Sequence, residues 1–211
     1  GLLSCQPEIG QDLIELFNYL TGFSKQQRYR KLLVAPVTLR NGLLELIKRE
    51  IKYAKNGVPA KIIAKMNSLV DPEIIKLLYK ASQEGVKIEL IIRGMCCLYP
   101  QKRGLSENIK VISVVGRFLE HSRIFWFYNN GNPETFIGSA DWMRRNLDRR
   151  VEAVAPVENI EIKRQIEQLL NHYLLESHDA WVMQSDGSYR RKTNIEQAFI
   201  QDELIKIWSK N

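Results

Sequence analysis

Between residues 32 and 92 the sequence alternates short apolar runs with amphipathic stretches, and few folds satisfy that order. Leu32-Leu33-Val34-Ala35-Pro36 is a continuous apolar run, the pattern of a strand buried on both faces. Leu43, Ile47, Ile51 and Ala54 then recur at helical spacing until Asn56-Gly57 stops them. A second strand is predicted over 60–66. Asp71-Pro72 opens a second helix, with an acid at the N-cap and proline at the first helical position. Its inner face is Ile74, Leu77, Leu78 and Ala81, and Gly85 closes it. A third strand is predicted over 86–92. This order argues for βαβ units. The expected class is α/β, with a mixed, largely parallel sheet flanked by helices on both faces.

Around this centre the spacing predicts a helix over 8–20 and, after a loop at 99–108, strands near 109–115, 121–128, 135–138 and 151–155. Asn129-Asn130-Gly131-Asn132 reads as the turn of a hairpin. A long amphipathic helix over 158–176, a polar turn at 185–188 and a last helix over 194–208 complete the chain. No repeat or low-complexity linker interrupts it. Residues 1–30 are expected to lead in from a preceding domain, and 31–211 to form one domain.

Charge narrows the partners. The net charge of +7 suits a polyanion: nucleic acid, a nucleotide, a phosphate polymer or a membrane surface. Basic clusters fall at Lys25, Arg28, Arg30 and Lys31, at Arg144, Arg145, Arg149 and Arg150, and at Arg190, Arg191 and Lys192. Ordinary solvated surface explains any one of them equally well. Cys5, Cys96 and Cys97 cannot all pair, and the last two are adjacent. A reducing compartment, the cytoplasm, is the expectation. No apolar run is long enough to cross a membrane, and the N-terminus lacks the pattern of a signal peptide. Glycine-rich phosphate loops, zinc-ligand spacing and the Gly-x-Ser-x-Gly nucleophile motif are all missing.

One segment concentrates chemistry. His121 and Arg123 are two apart on a predicted strand, so both project from one face. The returning strand ends in Gly138-Ser139, where a small residue would admit a phosphate. Arg123 would hold one phosphate oxygen, the Ser139 hydroxyl would donate to another, and His121 would bind phosphate or move a proton. A hairpin with a surface histidine fits the same spacing. Lys65 and Asn67 sit where a strand meets a helix, at the edge where such sheets bind ligands. His172 and His178 lie away from these motifs. Glu120 and Asp148 are candidates to orient His121 or an arginine, and Trp142 reads as core.

His121-x-Arg123 followed by Gly138-Ser139 resembles a degenerate form of the H-x-K…G-S-x-N motif of the phospholipase D superfamily. Arginine stands for lysine, Tyr128 for the aspartate and Asp141 for the final asparagine. A closer resemblance is to polyphosphate kinases. It runs through Leu69-Val70-Asp71, Arg93-Gly94-Met95-Cys96, Leu119-Glu120-His121, Ser139-Ala140-Asp141-Trp142-Met143 and Arg145-Asn146-Leu147-Asp148. It covers nearly the whole chain, most clearly 30–183.

That resemblance implies a phospholipase-D-like domain, the second of two at the C-terminal end of an enzyme that transfers the terminal phosphate of ATP reversibly to inorganic polyphosphate. It implies that the phosphorylated histidine and the Mg²⁺ ligands belong to the preceding domain, so this chain supplies half a site and no metal ligand. By itself the fragment would be inactive. Arg93 and His121 take the family's ATP-contacting positions; Lys65, Asn67, Arg144, Arg145 and Arg149 are candidates for a polyphosphate tunnel. The implied partners are ATP, ADP, polyphosphate, the preceding domains and, in the full-length enzyme, further copies. Nucleic acid is not among them, while peripheral membrane association stays open. Two other functions compete: a phospholipase-D-type phosphodiesterase or nuclease completed by dimerisation, which the altered motif argues against, and a nucleic-acid-binding module suggested by charge alone.

Overall fold

The computed structural model describes residues 1–23, 28–175, 179–191 and 199–209. Lys25, His178, Lys192 and the first residues of the expected last helix lie outside them. In chain order the elements are α1 (Pro7–Leu20), β1 (Leu33–Ala35), α2 (Leu39–Lys55), β2 (Lys61–Met66), α3 (Pro72–Gln83), β3 (Lys87–Ile92), β4 (Ile109–Ser113), β5 (Arg123–Phe127), β6 (Glu134–Gly138), a π-helical turn (Arg145–Arg149), β7 (Glu152–Val157), α4 (Ile160–Leu174), β8 (Trp181–Met183), β9 (Tyr189–Arg191) and α5 (Ile200–Trp208).

The strands form one sheet in the order β1-β7-β6-β5-β2-β3-β4-β8-β9. The sheet is mixed, as expected, but largely antiparallel by pairing. Only β2–β3 and β3–β4 are parallel; every other neighbouring pair is antiparallel. The crossover α2 carries the chain from β1 past the place where β5, β6 and β7 later insert. A β-α-β order fixes a crossover, not which strands become neighbours, and the hairpin strands fill the gap.

Alternation along the strands feeds two cores. Ile62, Ala64, Ile88, Leu90, Phe125 and Phe127 pack against α2 and α3. Ile63, Ile91, Ile112, Ile124 and Trp126 pack against Leu170 and Tyr173 of α4 and Ile200 of α5. Helices therefore cover both faces, as expected. Trp142 lies fully buried in the first core, its ring 5.1 Å from that of Phe125. Asp71 caps α3 by accepting from the Glu73 and Ile74 amides. The strands β8 and β9 were not expected; the polar turn at 185–188 joins them, and the last helix, α5, follows at Ile200–Trp208. Strand β5 begins at Arg123, so His121 sits on the loop before it.

α1 is seated by one buried carboxylate. Asp12 accepts from the backbone amides of Arg30, Lys31 and Leu32 at 2.9, 2.7 and 2.9 Å. Arg30 also pairs with Asp12 and Glu15, and Lys31 with Glu8 and Glu158. These two cations of the first basic cluster are held by acids. In the third cluster Arg191 is paired with Asp179.

Candidate functional site

The C-terminal ends of β2, β3, β4 and β6 meet the start of β5 and β7 at one edge of the sheet. β2 delivers Lys65 and Asn67, β3 delivers Arg93, and the loop into β5 delivers Glu120, His121 and Ser122 ahead of Arg123. The edge is tied across: the Gly94 amide donates to the Asn67 carbonyl at 2.8 Å, and the Ser113 hydroxyl donates to the Arg93 carbonyl at 3.2 Å.

Lys65 is not a tunnel cation. It points into the α4-side core, with 2% of its side chain exposed. Its ammonium contacts Glu120 at 3.0 Å, donates to the Ser122 hydroxyl at 2.9 Å and sits 5.1 Å from the centre of the Tyr173 ring. Burial lowers its pKa, and Arg123 and Arg93 push the same way against the pull of Glu120. Glu120 is half-buried, which acts to raise its pKa. The Gln201 amide at 2.7 Å, the Lys65 charge and the Tyr173 hydroxyl at 2.8 Å outweigh burial and hold it below its usual value. Glu120 thus orients Lys65 rather than His121.

Gln201 of α5 completes this network. Its amide accepts from the Phe118 N–H at 2.8 Å and donates to the Phe118 carbonyl at 2.9 Å. It lies so close to the loop that a Cβ on Gly116 would fall 2.6 Å from its oxygen. The loop that carries His121 is therefore clamped from α5. Neither Tyr173 nor Gln201 was found by sequence, because both lie more than 50 positions away along the chain and read only as helix residues.

Arg123 does not face outward. Its Nε and Nη2 donate to the two Asp141 oxygens at 3.2 and 3.1 Å. Its Nη1 donates to the His121 carbonyl at 3.0 Å and lies 3.0 Å from the ring Nδ1. Asp141 also accepts from the backbone amides of Asn67 at 2.8 Å and Ser68 at 3.3 Å. Ser139 is exposed, but its hydroxyl donates to Glu152, which also takes the Asn146 amide. Gly138 is small because of β7, not because of a ligand: a Cβ there would lie 2.5 Å from the Ala153 carbonyl oxygen.

Arg93 and His121 remain exposed. The Arg93 Nε donates to the Asn67 Oδ1 at 3.0 Å, which fixes the guanidinium. Its two Nη groups have no hydrogen-bond partner among the described residues. Asn67 itself is buried and holds Arg93 rather than lining an open surface.

Arg144 and Arg149 lie elsewhere, in a cleft of about 420 Å³ with Arg40, Asp71, Glu73 and Asp148. There Arg40 takes all three carboxylates: Asp71 at 2.7 Å, Glu73 at 2.9 Å and Asp148 at 2.8 Å. Asp148 does orient an arginine, as one expectation had it, but the arginine is Arg40. Arg144, Arg145 and Arg149 carry no ion pair among the described residues. His172 is half-buried on α4. Among the described residues no group of His, Cys, Asp and Glu is arranged to hold a metal ion, and no helix is long and apolar enough to cross a membrane.

The polyphosphate kinase C-terminal domain 2 model matches residues 32–201. The chain is 64% identical over 211 residues to a polyphosphate kinase of Prochlorococcus marinus and 49% identical over 193 residues to one of Dictyostelium discoideum. These alignments cover 99% and 92% of this chain but only 30% and 18% of those proteins. The crystal structure of polyphosphate kinase from Porphyromonas gingivalis superposes with a TM-score of 0.92 at 37% identity, over 98% of this chain and 32% of that one. NucT from Helicobacter pylori shares the fold alone, at a TM-score of 0.52 and 15% identity over 68% of this chain and 93% of that one. The chain belongs to the polyphosphate kinase C-terminal domain 2 family.

Proposed function

We propose that this domain supplies the nucleotide-phosphate half of a polyphosphate kinase site and leaves the phosphorylated histidine to a preceding domain of the same polypeptide. The observation that carries this is the state of the cations at the sheet edge. Lys65 is paired with Glu120 and Arg123 with Asp141. Arg93 has no ion pair among the described residues, is oriented by Asn67 and presents two free Nη groups. A guanidinium in that state is a fork for phosphate oxygens that keeps its charge at any working pH. His121, on the loop that enters β5 at the same sheet edge, donates a second hydrogen bond or a proton to the transferred phosphate.

ATP and ADP are then the small ligands and inorganic polyphosphate the polymer. Arg144, Arg145 and Arg149 contact the polymer farther along, Arg144 and Arg149 beside acids already neutralised by Arg40. Mg²⁺ belongs with the preceding domain, since the described residues here do not fit a metal. Residues 1–30 lead in from that domain, the domain keeps a phospholipase-D-like chain path, and the full-length protein works in the cytoplasm as an oligomer. A phospholipase-D-type phosphodiesterase gains no support, because Arg123 and Asp141 are spent on each other.

Arg93→Ala in the full-length protein tests the assignment. Losing charge-assisted hydrogen bonds worth about 1.5–3 kcal/mol is expected to raise the KM for ATP roughly 10- to 100-fold, with a smaller change in kcat. An unchanged KM would remove Arg93 from the phosphate site.

A further inference from the structure

The geometry points to the Arg123–Asp141 ion pair as a positioning clamp that sets the orientation of His121, rather than as a phosphate ligand. This rests on the proposed phosphate-handling role of His121. An arginine has five N–H donors. Two go to Asp141 and one to the His121 carbonyl, and Nη1 also packs on the His121 ring. The pair is nearly enclosed, with 12% of the Arg123 and 10% of the Asp141 side chain exposed. A phosphate could capture Arg123 only by breaking these bonds. Nη1 lies 3.0 Å from Nδ1 and 3.3 Å from Nε2, which places it over the face of the imidazole rather than in the ring plane on either nitrogen lone pair. Arg123 thus fixes where the imidazole sits and leaves the nitrogens in its ring plane for whatever phosphate Arg93 holds.

Asp141 is the hub that makes the clamp rigid. One carboxylate holds Arg123 and also the backbone amides of Asn67 and Ser68. Asn67 in turn fixes Arg93. Asp141 therefore sets the spacing between the two groups proposed to meet phosphate, and it touches neither ligand nor reacting atoms.

The test is a kinetic double-mutant cycle in the full-length protein with ATP and polyphosphate. Arg123→Ala is expected to lower kcat by about 10²-fold, the scale of a misplaced catalytic group, while the KM values for ATP and polyphosphate stay within about twofold. In a His121→Ala background the same substitution is expected to add no further loss. Arg123→Lys keeps the charge but cannot make the fork, so it should be as impaired as Arg123→Ala. Asp141→Asn, which keeps an acceptor for the two backbone amides, should match both. A raised KM with near-normal Arg123→Lys, or losses that add to His121→Ala, would overturn the clamp and make Arg123 a phosphate ligand. Full turnover in His121→Ala alone would instead overturn the role of His121 and the clamp with it. Thermal melting of each variant separates these results from loss of fold.

Discussion

Glu120→Ala is expected to destabilise the fold by about 3–5 kcal/mol, the cost of leaving a buried charge without its partner. Lys65 has 2% of its side chain exposed and no other carboxylate within salt-bridge distance among the described residues. The substitution also strips the Tyr173 hydroxyl of its acceptor and the Gln201 amide of one of its two. Denaturant unfolding of the variant measures the loss. Lys65→Met in the Glu120→Ala background removes the stranded ammonium and is expected to restore more than half of it; losses that simply add would contradict the pairing. The pH dependence has a definite sign. The pKa of Glu120 is held below its usual value of 4.5, so its contribution is full above that pH and is lost as pH falls through the folded value. Asp12 and Asp71, below their usual 3.8, act in the same direction. Burial raises both, but the backbone hydrogen bonds on Asp12 and the Arg40 fork on Asp71 outweigh it. In the Glu120→Ala variant the depressed pKa of Lys65 works oppositely. Its penalty is full below the folded value and fades as pH rises toward the usual 10.5.

Trp142→Ala is expected to cost about 3–5 kcal/mol as well, by a different route. The side chain is fully buried and stacked on Phe125, so its removal leaves a cavity in the core on the α2 and α3 side of the sheet. In a chain of this size that lowers the Tm by roughly 2–4 °C per kcal/mol. Trp142→Phe should cost much less. Phenylalanine keeps most of the packing, and the indole N–H has no acceptor among the described residues, so losing it removes an unsatisfied donor. Equal losses for the two variants would show that the indole N–H matters more than the volume. Trp142 follows Asp141 directly, and its carbonyl accepts from the Val70 and Asp71 amides at 2.9 Å each. A loosened Trp142 therefore also loosens the anchor of the clamp.

Much of this fold was legible because its periodicities are strong. Strands β2 and β3 and helix α3 follow from continuous apolar runs and an Asp-Pro cap. Neighbour choice was not legible, because apolar runs that are buried on both faces look alike whether their partners run parallel or antiparallel. That is why the sheet was expected to be largely parallel. Strands β8 and β9 have three residues each, too few for a periodic signal. At the site, residue type and position marked Arg93 and His121 but not their state. Lys65, Arg123 and Ser139 carry the same chemistry in sequence as free phosphate ligands do. Only the packing shows that Glu120, Asp141 and Glu152 have already claimed them. Tyr173 and Gln201 had no local signal, since their role depends on where α4 and α5 land on the sheet.

The most direct measurement is acid-labile phosphate labelling of the full-length protein with γ-labelled ATP, comparing the natural sequence with His121→Ala. If this domain binds and orients phosphate for a nucleophile housed elsewhere, the variant still takes up label, more slowly, and transfers it poorly to polyphosphate. Complete absence of label from a folded His121→Ala protein would mean that His121 is itself the phosphorylated residue, and that this domain carries its own nucleophile.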